Sequence, residues 1–127
     1  MGLDAPSRTT MAEYKRILSV AYLRDLGESR QALLRAAGYH VTTVDSVTEA
    51  VLQLKKAGFD LVIVGHAVHR RDDQLVVEAA KSAGNVPTLL LYESHPHVSG
   101  KRHFNMEEGC DEFLRVVAQM CKDKPQK

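Results

Sequence analysis

Apolar and polar residues follow two alternating patterns through the middle of the chain. Short apolar runs are typical of strands buried on both faces, and apolar residues spaced three or four apart are typical of helices that bury one side. The strand-like runs cover residues 16–22, 40–45, 59–65, 86–92 and 101–105. Because helical patterns separate most of these runs, the sequence predicts a parallel α/β sheet with crossover helices on both faces.

Four helices are predicted between and after these strands. Ser46 and Glu49 form a capping box at the start of the second helix. Gly38, Gly58 and Gly84 follow the first three helices, where glycine commonly ends a helix. The apolar stripes of the four helices are Leu26, Arg30, Leu33, Leu34 and Ala37; Val47, Ala50, Val51 and Leu54; Leu75, Val76, Ala79, Ala80 and Ala83; and Cys110, Phe113, Leu114, Val117, Met120 and Cys121.

This order of elements predicts one domain of the flavodoxin type, a doubly wound sheet with strand order 2-1-3-4-5. The domain is expected over residues 15–121, between a disordered tail at residues 1–14 and a short tail at residues 122–127. Ligands of such sheets bind at the carboxyl ends of the strands. A functional site is therefore expected just after Val20, Val64 and Leu91.

The composition bears on the partners, the location and the cysteine chemistry that are expected for this chain. The chain has 127 residues, of which 44% are hydrophobic and 26% charged, and its 17 basic and 16 acidic residues give a net charge of +1. This balance offers no electrostatic argument for nucleic-acid or membrane partners. No apolar stretch approaches the ~20 residues of a membrane helix, so a cytoplasmic location is expected. Cys110 and Cys121 are too far apart on one helix for a disulfide, and both are predicted to be buried thiols.

Two segments carry a resemblance to a known family. They are residues 36–41, at a helix-to-strand corner, and residues 59–64, the third strand; the helix around Glu49, Ala50 and Leu54 agrees with them. Over residues 15–121 the chain resembles the receiver domain of bacterial two-component response regulators. The resemblance implies a CheY-like fold and a role in a phosphorelay.

The family's phosphorylation site needs five groups, which assist phosphoryl transfer by holding a metal and neutralising charge. The resemblance places the metal-binding acidic pair at Ala21 and Tyr22, and the phosphoacceptor aspartate at Gly65. It places the hydroxyl residue at Tyr92 and the lysine at Asn105. Because none of the five residues matches, the chain is predicted to be a pseudo-receiver without catalytic residues, cofactor or enzymatic activity.

Other polar residues do not replace the missing groups. Asp60 is expected at the opposite end of the third strand, and Asp25, Asp72 and Asp73 are expected to open helices. His66 follows Gly65 without a visible partner. We hypothesise that one or both of the rings of Tyr22 and Tyr92 lean over Gly65, because packed proteins do not tolerate large voids.

A second constellation is the loop histidines His95 and His97, with His103 nearby. Three histidines can bind zinc or nickel. No carboxylate or cysteine supports them at ligand spacing, apart from the more distant Glu93 and Glu107. The loop is therefore interpreted as solvated, and no metal site is predicted.

The favoured function is a stand-alone signalling module that contacts a histidine kinase, another regulator or an output protein. In the family the surface of the fourth helix, fifth strand and last helix carries partner contacts, which here implies His97, Lys101, Phe104 and Phe113. The same surface allows a homodimer.

An alternative of another class is a small flavodoxin-like enzyme or ligand-binding protein. It would use the cleft around Tyr22, Gly65, His66 and Tyr92. A glycine in such a cleft lets a ligand approach the backbone closely.

Overall fold

The structure is a computed structural model that describes residues 15–65, 70–92, 102–105 and 109–122. For residues 70, 92 and 102–105 it describes the backbone only. The elements in chain order are β1 (Arg16–Val20), α1 (Arg24–Ala36), β2 (His40–Val44), α2 (Val47–Lys56), β3 (Leu61–Val64), α3 (Arg70–Ser82), β4 (Thr88–Tyr92), β5 (Arg102–Asn105) and α4 (Cys110–Lys122).

The strands form a parallel sheet in the order β2-β1-β3-β4-β5. At its centre Val20 of β1 lies beside both Val44 of β2 and Val64 of β3. The predicted α/β class with a parallel sheet is confirmed, including the order β2-β1-β3-β4 around the switch point between β1 and β3. Because the strands are parallel, all their carboxyl ends lie at one edge of the sheet.

Alternate strand residues point to opposite faces of the sheet, and each face carries its own hydrophobic core. Leu18, Val62 and Val64 pack with Ala50 of α2 and Val76 of α3 on one face. On the other face the cluster consists of strand residues and of residues from α1 and α4, namely Ile17, Leu61, Ile63, Leu89, Leu34, Phe113, Val117 and Cys121. The central strands are apolar throughout because both of their faces are covered.

The predicted helix ends agree with the structure in most places. Ser46 caps α2, its Oγ accepting a hydrogen bond of 3.1 Å from the backbone N–H of Glu49. Gly38 and Gly84 have φ angles of 100° and 112°, which explains why glycine follows α1 and α3. Helix α2, in contrast, ends at Lys56, ahead of the predicted stop at Gly58.

Some predicted stripe residues are not buried. Leu26 and Leu75 are 38% and 49% exposed. Cys110 is exposed as well, so the prediction of two buried thiols is wrong for this residue and right for Cys121. The reason is that the first turn of α4 is exposed or half-buried and its buried stripe starts only at Phe113.

The predicted domain boundaries can be compared with the structure at one end. Helix α4 includes Lys122, one residue beyond the predicted boundary. The predicted tail at residues 1–14 lies outside the described residues.

None of the helices described combines the length and the apolar character needed to cross a bilayer.

Candidate functional site

The sheet edge at the carboxyl ends of the strands brings the predicted site positions together. Gly65 follows β3, and its N–H donates a hydrogen bond of 2.8 Å to the carbonyl oxygen of Val20. Ala21, which follows Val20, is buried. The backbone register pairs Tyr92 with Asn105 at the ends of β4 and β5. The positions predicted for a phosphorylation site therefore share this edge, although the side chains of Tyr92 and Asn105 lie outside the description.

The surroundings of Gly65 contain a cation. A Cβ atom placed on Gly65 would lie 3.2 Å from the carbonyl oxygen of Val20, 3.6 Å from Nη1 of Arg30 and 3.8 Å from Cα of Ala21. Arg30 is thus the described side chain nearest to the Cβ position of Gly65, apart from the chain neighbours of this glycine. Where a receiver has carboxylates, this chain has a guanidinium.

Arg30 lies on the inner side of α1 and is only 6% exposed. Its Nη1 atom is buried and has no hydrogen-bond acceptor among the residues that the structure covers. Burial lowers the pKa of this guanidinium, yet arginine stays protonated in proteins. The site therefore contains a positive charge that is shielded from water and that has no counter-charge among the described residues.

Sequence reasoning did not identify Arg30 as a site residue, although a signal was present. Arg30 falls on the apolar stripe of α1, four residues after Leu26 and four before Leu34. An arginine on a stripe that faces the sheet is forced to bury much of its side chain. Its position next to Gly65, however, becomes visible only when α1 is placed against the end of β3.

Tyr22 points to the other side of the sheet edge. Its ring packs against the core cluster under α2 and α3, and its O–H donates a hydrogen bond of 2.6 Å to Oδ2 of Asp72 in α3. Burial raises the pKa of Tyr22 to about 12, and the hydrogen bond and charge of Asp72 add to the effect. Tyr22 therefore packs on the face of the sheet that carries the core cluster under α2 and α3. Because the side chain of Tyr92 lies outside the description, the hypothesis that one or both rings lean over Gly65 stays a prediction.

A groove runs between α1 and α4, beside the same edge. It has a volume of about 370 Å³. Arg30 lines it together with Leu26, Ser29, Leu33, Gly109, Cys110 and Phe113. Apart from Arg30 and Ser29 the side chains that line it are apolar or small, and the N-terminus of α4 forms one rim.

The four aspartates considered in the sequence analysis lie at strand and helix starts. Asp60 lies at the amino end of β3, where Oδ2 accepts a hydrogen bond from the N–H of Arg16, so it is far from Gly65 as expected. Asp25, Asp72 and Asp73 lie in the first turns of α1 and α3, also as expected.

The histidine cluster and most of the predicted partner surface are not covered by the described side chains. His66, His95, His97 and Lys101 lie outside the described residues, and only the backbone of His103 and Phe104 is described. Phe113 is buried in the core beneath α4, so its ring forms part of the groove and does not project toward a partner.

Solved structures similar to this chain are receiver domains. A CheY-like receiver domain protein from Methanospirillum hungatei JF-1 matches with a TM-score of 0.76 and 15% identity, over 87% of this chain and 96% of that one. The chemotaxis response regulator CheY4 of Vibrio cholerae matches with a TM-score of 0.73 and 21% identity, over 84% and 98% of the two chains.

A third similar structure is the receiver domain of a sensor histidine kinase from Pseudomonas aeruginosa PAO1, which has a magnesium ion coordinated in its active-site cleft. It has a TM-score of 0.72 and 17% identity, over 86% of this chain and 98% of that one. No protein-family model and no curated protein matches the sequence. At these identities the likeness shows that the chain has the fold of a response-regulator receiver domain.

Proposed function

We propose that this chain is a pseudo-receiver: a signalling domain that acts through protein–protein contacts and does not accept a phosphoryl group at the usual position. It would be a binding module without enzymatic activity in a two-component or phosphorelay pathway. Its protein partner would be a histidine kinase, another regulator or an output protein. The receiver fold supports the general role, and the residues at the strand ends support the loss of phosphorylation.

The observation that carries the proposal is the buried guanidinium next to Gly65. Phosphorylation of a receiver needs a nucleophilic carboxylate and a divalent cation held by further carboxylates. Here Gly65 offers no nucleophile, Ala21 offers no ligand, and Tyr22 donates its O–H to Asp72. Nη1 of Arg30, at 3.6 Å from the Cβ position of Gly65, would repel a metal ion. Among the described side chains a guanidinium thus lies where the resemblance places carboxylates, and this supports the proposed loss of phosphorylation.

Phosphorylation by a small donor tests the loss of the reaction. Purified protein is incubated with Mg²⁺ and acetyl phosphate, and its intact mass is measured beside a phosphorylatable receiver domain as a positive control. We expect no phosphoryl adduct on the wild type. We also expect none on Gly65→Asp, because Arg30 would pair with the introduced carboxylate and no metal ligands would be restored. A phosphoryl adduct on the wild type would show that the proposal is wrong, and a stable adduct on the Gly65→Asp variant would contradict the role given to Arg30.

Recovery of partners tests the signalling role. The immobilised domain is incubated with extract of its source organism, with and without acetyl phosphate, and bound proteins are identified by mass spectrometry. The expected result is a histidine kinase or a response regulator among them, in equal amount in both conditions. Binding that depends on the phosphodonor, or the absence of both protein classes, would contradict the proposal.

A further inference from the structure

Arg30 is a buried charge for which the described side chains supply no counter-charge, and such an arrangement needs a physical explanation. The transfer of an unpaired ion from water into a protein interior costs several kcal/mol. The described part of the chain provides no acceptor for Nη1, and burial is what lowers the pKa of this group. Arginine does not escape the cost by losing its proton. A bound anion would supply both the missing acceptor and the missing charge.

The position of Arg30 fits a ligand site. It lies where the carboxyl ends of β1 and β3 diverge, which is the place where doubly wound sheets bind ligands. Gly65 contributes no side chain there, and a Cβ atom at this position would lie 3.6 Å from Nη1 of Arg30 and 3.2 Å from the carbonyl oxygen of Val20. The same arginine lines the groove between α1 and α4, so that one side chain links the strand ends with an entry path.

The residues that line the groove indicate which chemical class of ligand fits it. Leu26, Leu33 and Phe113 give it an apolar wall, and its volume of about 370 Å³ is within the range of small-molecule sites. The start of α4, a helix of 13 residues, forms one rim with Gly109 and Cys110. The N-terminal end of a helix favours negative charge. Asp111 and Glu112 lie in the first turn of this helix, and Glu112 pairs with Arg115.

We propose that Arg30 and the groove between α1 and α4 form a binding site for a small monocarboxylate with an apolar body. The planar guanidinium matches a carboxylate, and the apolar wall accepts the remainder of the molecule. Inorganic phosphate fits this site less well, because it has no apolar part and the described lining offers it one cation. The inference goes beyond the proposed signalling function, since such binding would require neither a partner nor a phosphoryl group.

The test uses hexanoate, its neutral analogue hexanamide and inorganic phosphate as probes. Thermal melting and isothermal titration calorimetry are performed on the full chain at millimolar ligand. Hexanoate is expected to raise the melting temperature, because a ligand that binds only the native state stabilises it. Hexanamide and phosphate are expected to have little effect. Stabilisation by hexanamide as large as that by hexanoate, or by phosphate alone, would overturn the assignment of the ligand.

Variants then assign the binding to Arg30. Arg30→Met should lower the affinity for hexanoate about 10-fold or more, because it removes a charged hydrogen bond. The matched control is Arg24→Met on the same helix, whose side chain is 87% exposed and 3.7 Å from Glu28. This variant should bind hexanoate like the wild type. Equal affinity of Arg30→Met and wild type would overturn the proposal.

A second pair of variants keeps the test decisive if Arg30→Met does not fold. Gly65→Asp places a carboxylate next to Nη1 of Arg30 and should displace hexanoate by internal competition, with an affinity about 10-fold lower. Gly65→Asn has nearly the same size but no charge, so it controls for steric effects and should retain more of the affinity. If both variants bind hexanoate equally, Arg30 does not hold the carboxylate and the proposal fails.

Discussion

A single hydroxyl group connects the loop after β1 with the first turn of α3. Tyr22 is half-buried, and its O–H donates to Asp72 at 2.6 Å. In the resemblance to receivers this position belongs to a metal-binding acid. Here the same position supplies a hydrogen bond between the loop after β1 and helix α3.

The contribution of this hydrogen bond to stability should depend on pH. Tyr22→Phe is expected to lower the free energy of unfolding by about 1 kcal/mol near neutral pH, because the bond to a carboxylate is lost. The pKa of Tyr22 is raised from 10.0 to about 12 in the folded protein. A raised pKa means that the contribution is full below about pH 10 and disappears as the pH rises through about 12. Urea unfolding of both proteins across this interval measures the difference.

The control for this prediction is Asp72→Asn. In that background the hydrogen bond loses its charged acceptor, so Tyr22→Phe should cost less and its pH dependence should weaken. Equal costs in both backgrounds would mean that the contribution of the Tyr22 hydroxyl does not depend on the charge of Asp72.

At the scale of elements, the approach of α1 to β1 is unusually close. A Cβ atom on Gly27 of α1 would lie 2.9 Å from Cβ of Ala21 and 3.5 Å from Cγ2 of Thr43. Carbon atoms that are not bonded to each other do not approach to 2.9 Å. The small residues Gly27 and Ala21 therefore allow α1 to lie against the end of β1, in the position from which Arg30 reaches Gly65.

Gly27→Ala should consequently destabilise the protein although alanine is the better helix former. The gain in helix propensity is about 1 kcal/mol, whereas forced overpacking costs about 1–3 kcal/mol. Ala21→Gly in the same chain removes the opposing Cβ, and the double variant should recover most of the loss. The free energies of unfolding of the two single variants and the double variant test this. A Gly27→Ala variant that is more stable than the wild type would show that α1 moves away without cost.

An element could be predicted from the sequence when the residues that mark it lie within the element or directly beside it. The central strands were recognisable because burial on both faces leaves no polar residue in Leu61–Val64, and α2 because Ser46 and Glu49 lie three residues apart. Gly65, Ala21 and Tyr22 were located through their places after these strands. The contact of Arg30 with Gly65 was not predictable, because it depends on the distance between α1 and the sheet. That distance is set by Gly27 and Ala21, which carry no pattern of their own.

At the scale of the whole molecule, two cores on opposite faces of one sheet should unfold together, since they share every central strand. The reactivity of the Cys121 thiol reports on whether the two cores open together. It is 4% exposed in the core between the sheet and α4, and burial raises the pKa of its thiol to about 11, with a contribution from the charge of Asp60. Cys110, at the other end of α4, is exposed. One helix thus carries an accessible thiol and a protected thiol.

Thiol labelling should therefore proceed in two separated phases. With a disulfide reagent near pH 8, Cys110 is expected to react quickly, because it is exposed. Cys121 is expected to react only when the domain opens, because its thiol is both buried and protonated at this pH. Cys110→Ser should remove the fast phase and Cys121→Ser the slow one. The rate of the slow phase should rise with urea as steeply as global unfolding requires. A slow phase that responds to urea much less steeply than global unfolding would indicate that α4 detaches alone, and that the two cores are not one cooperative unit.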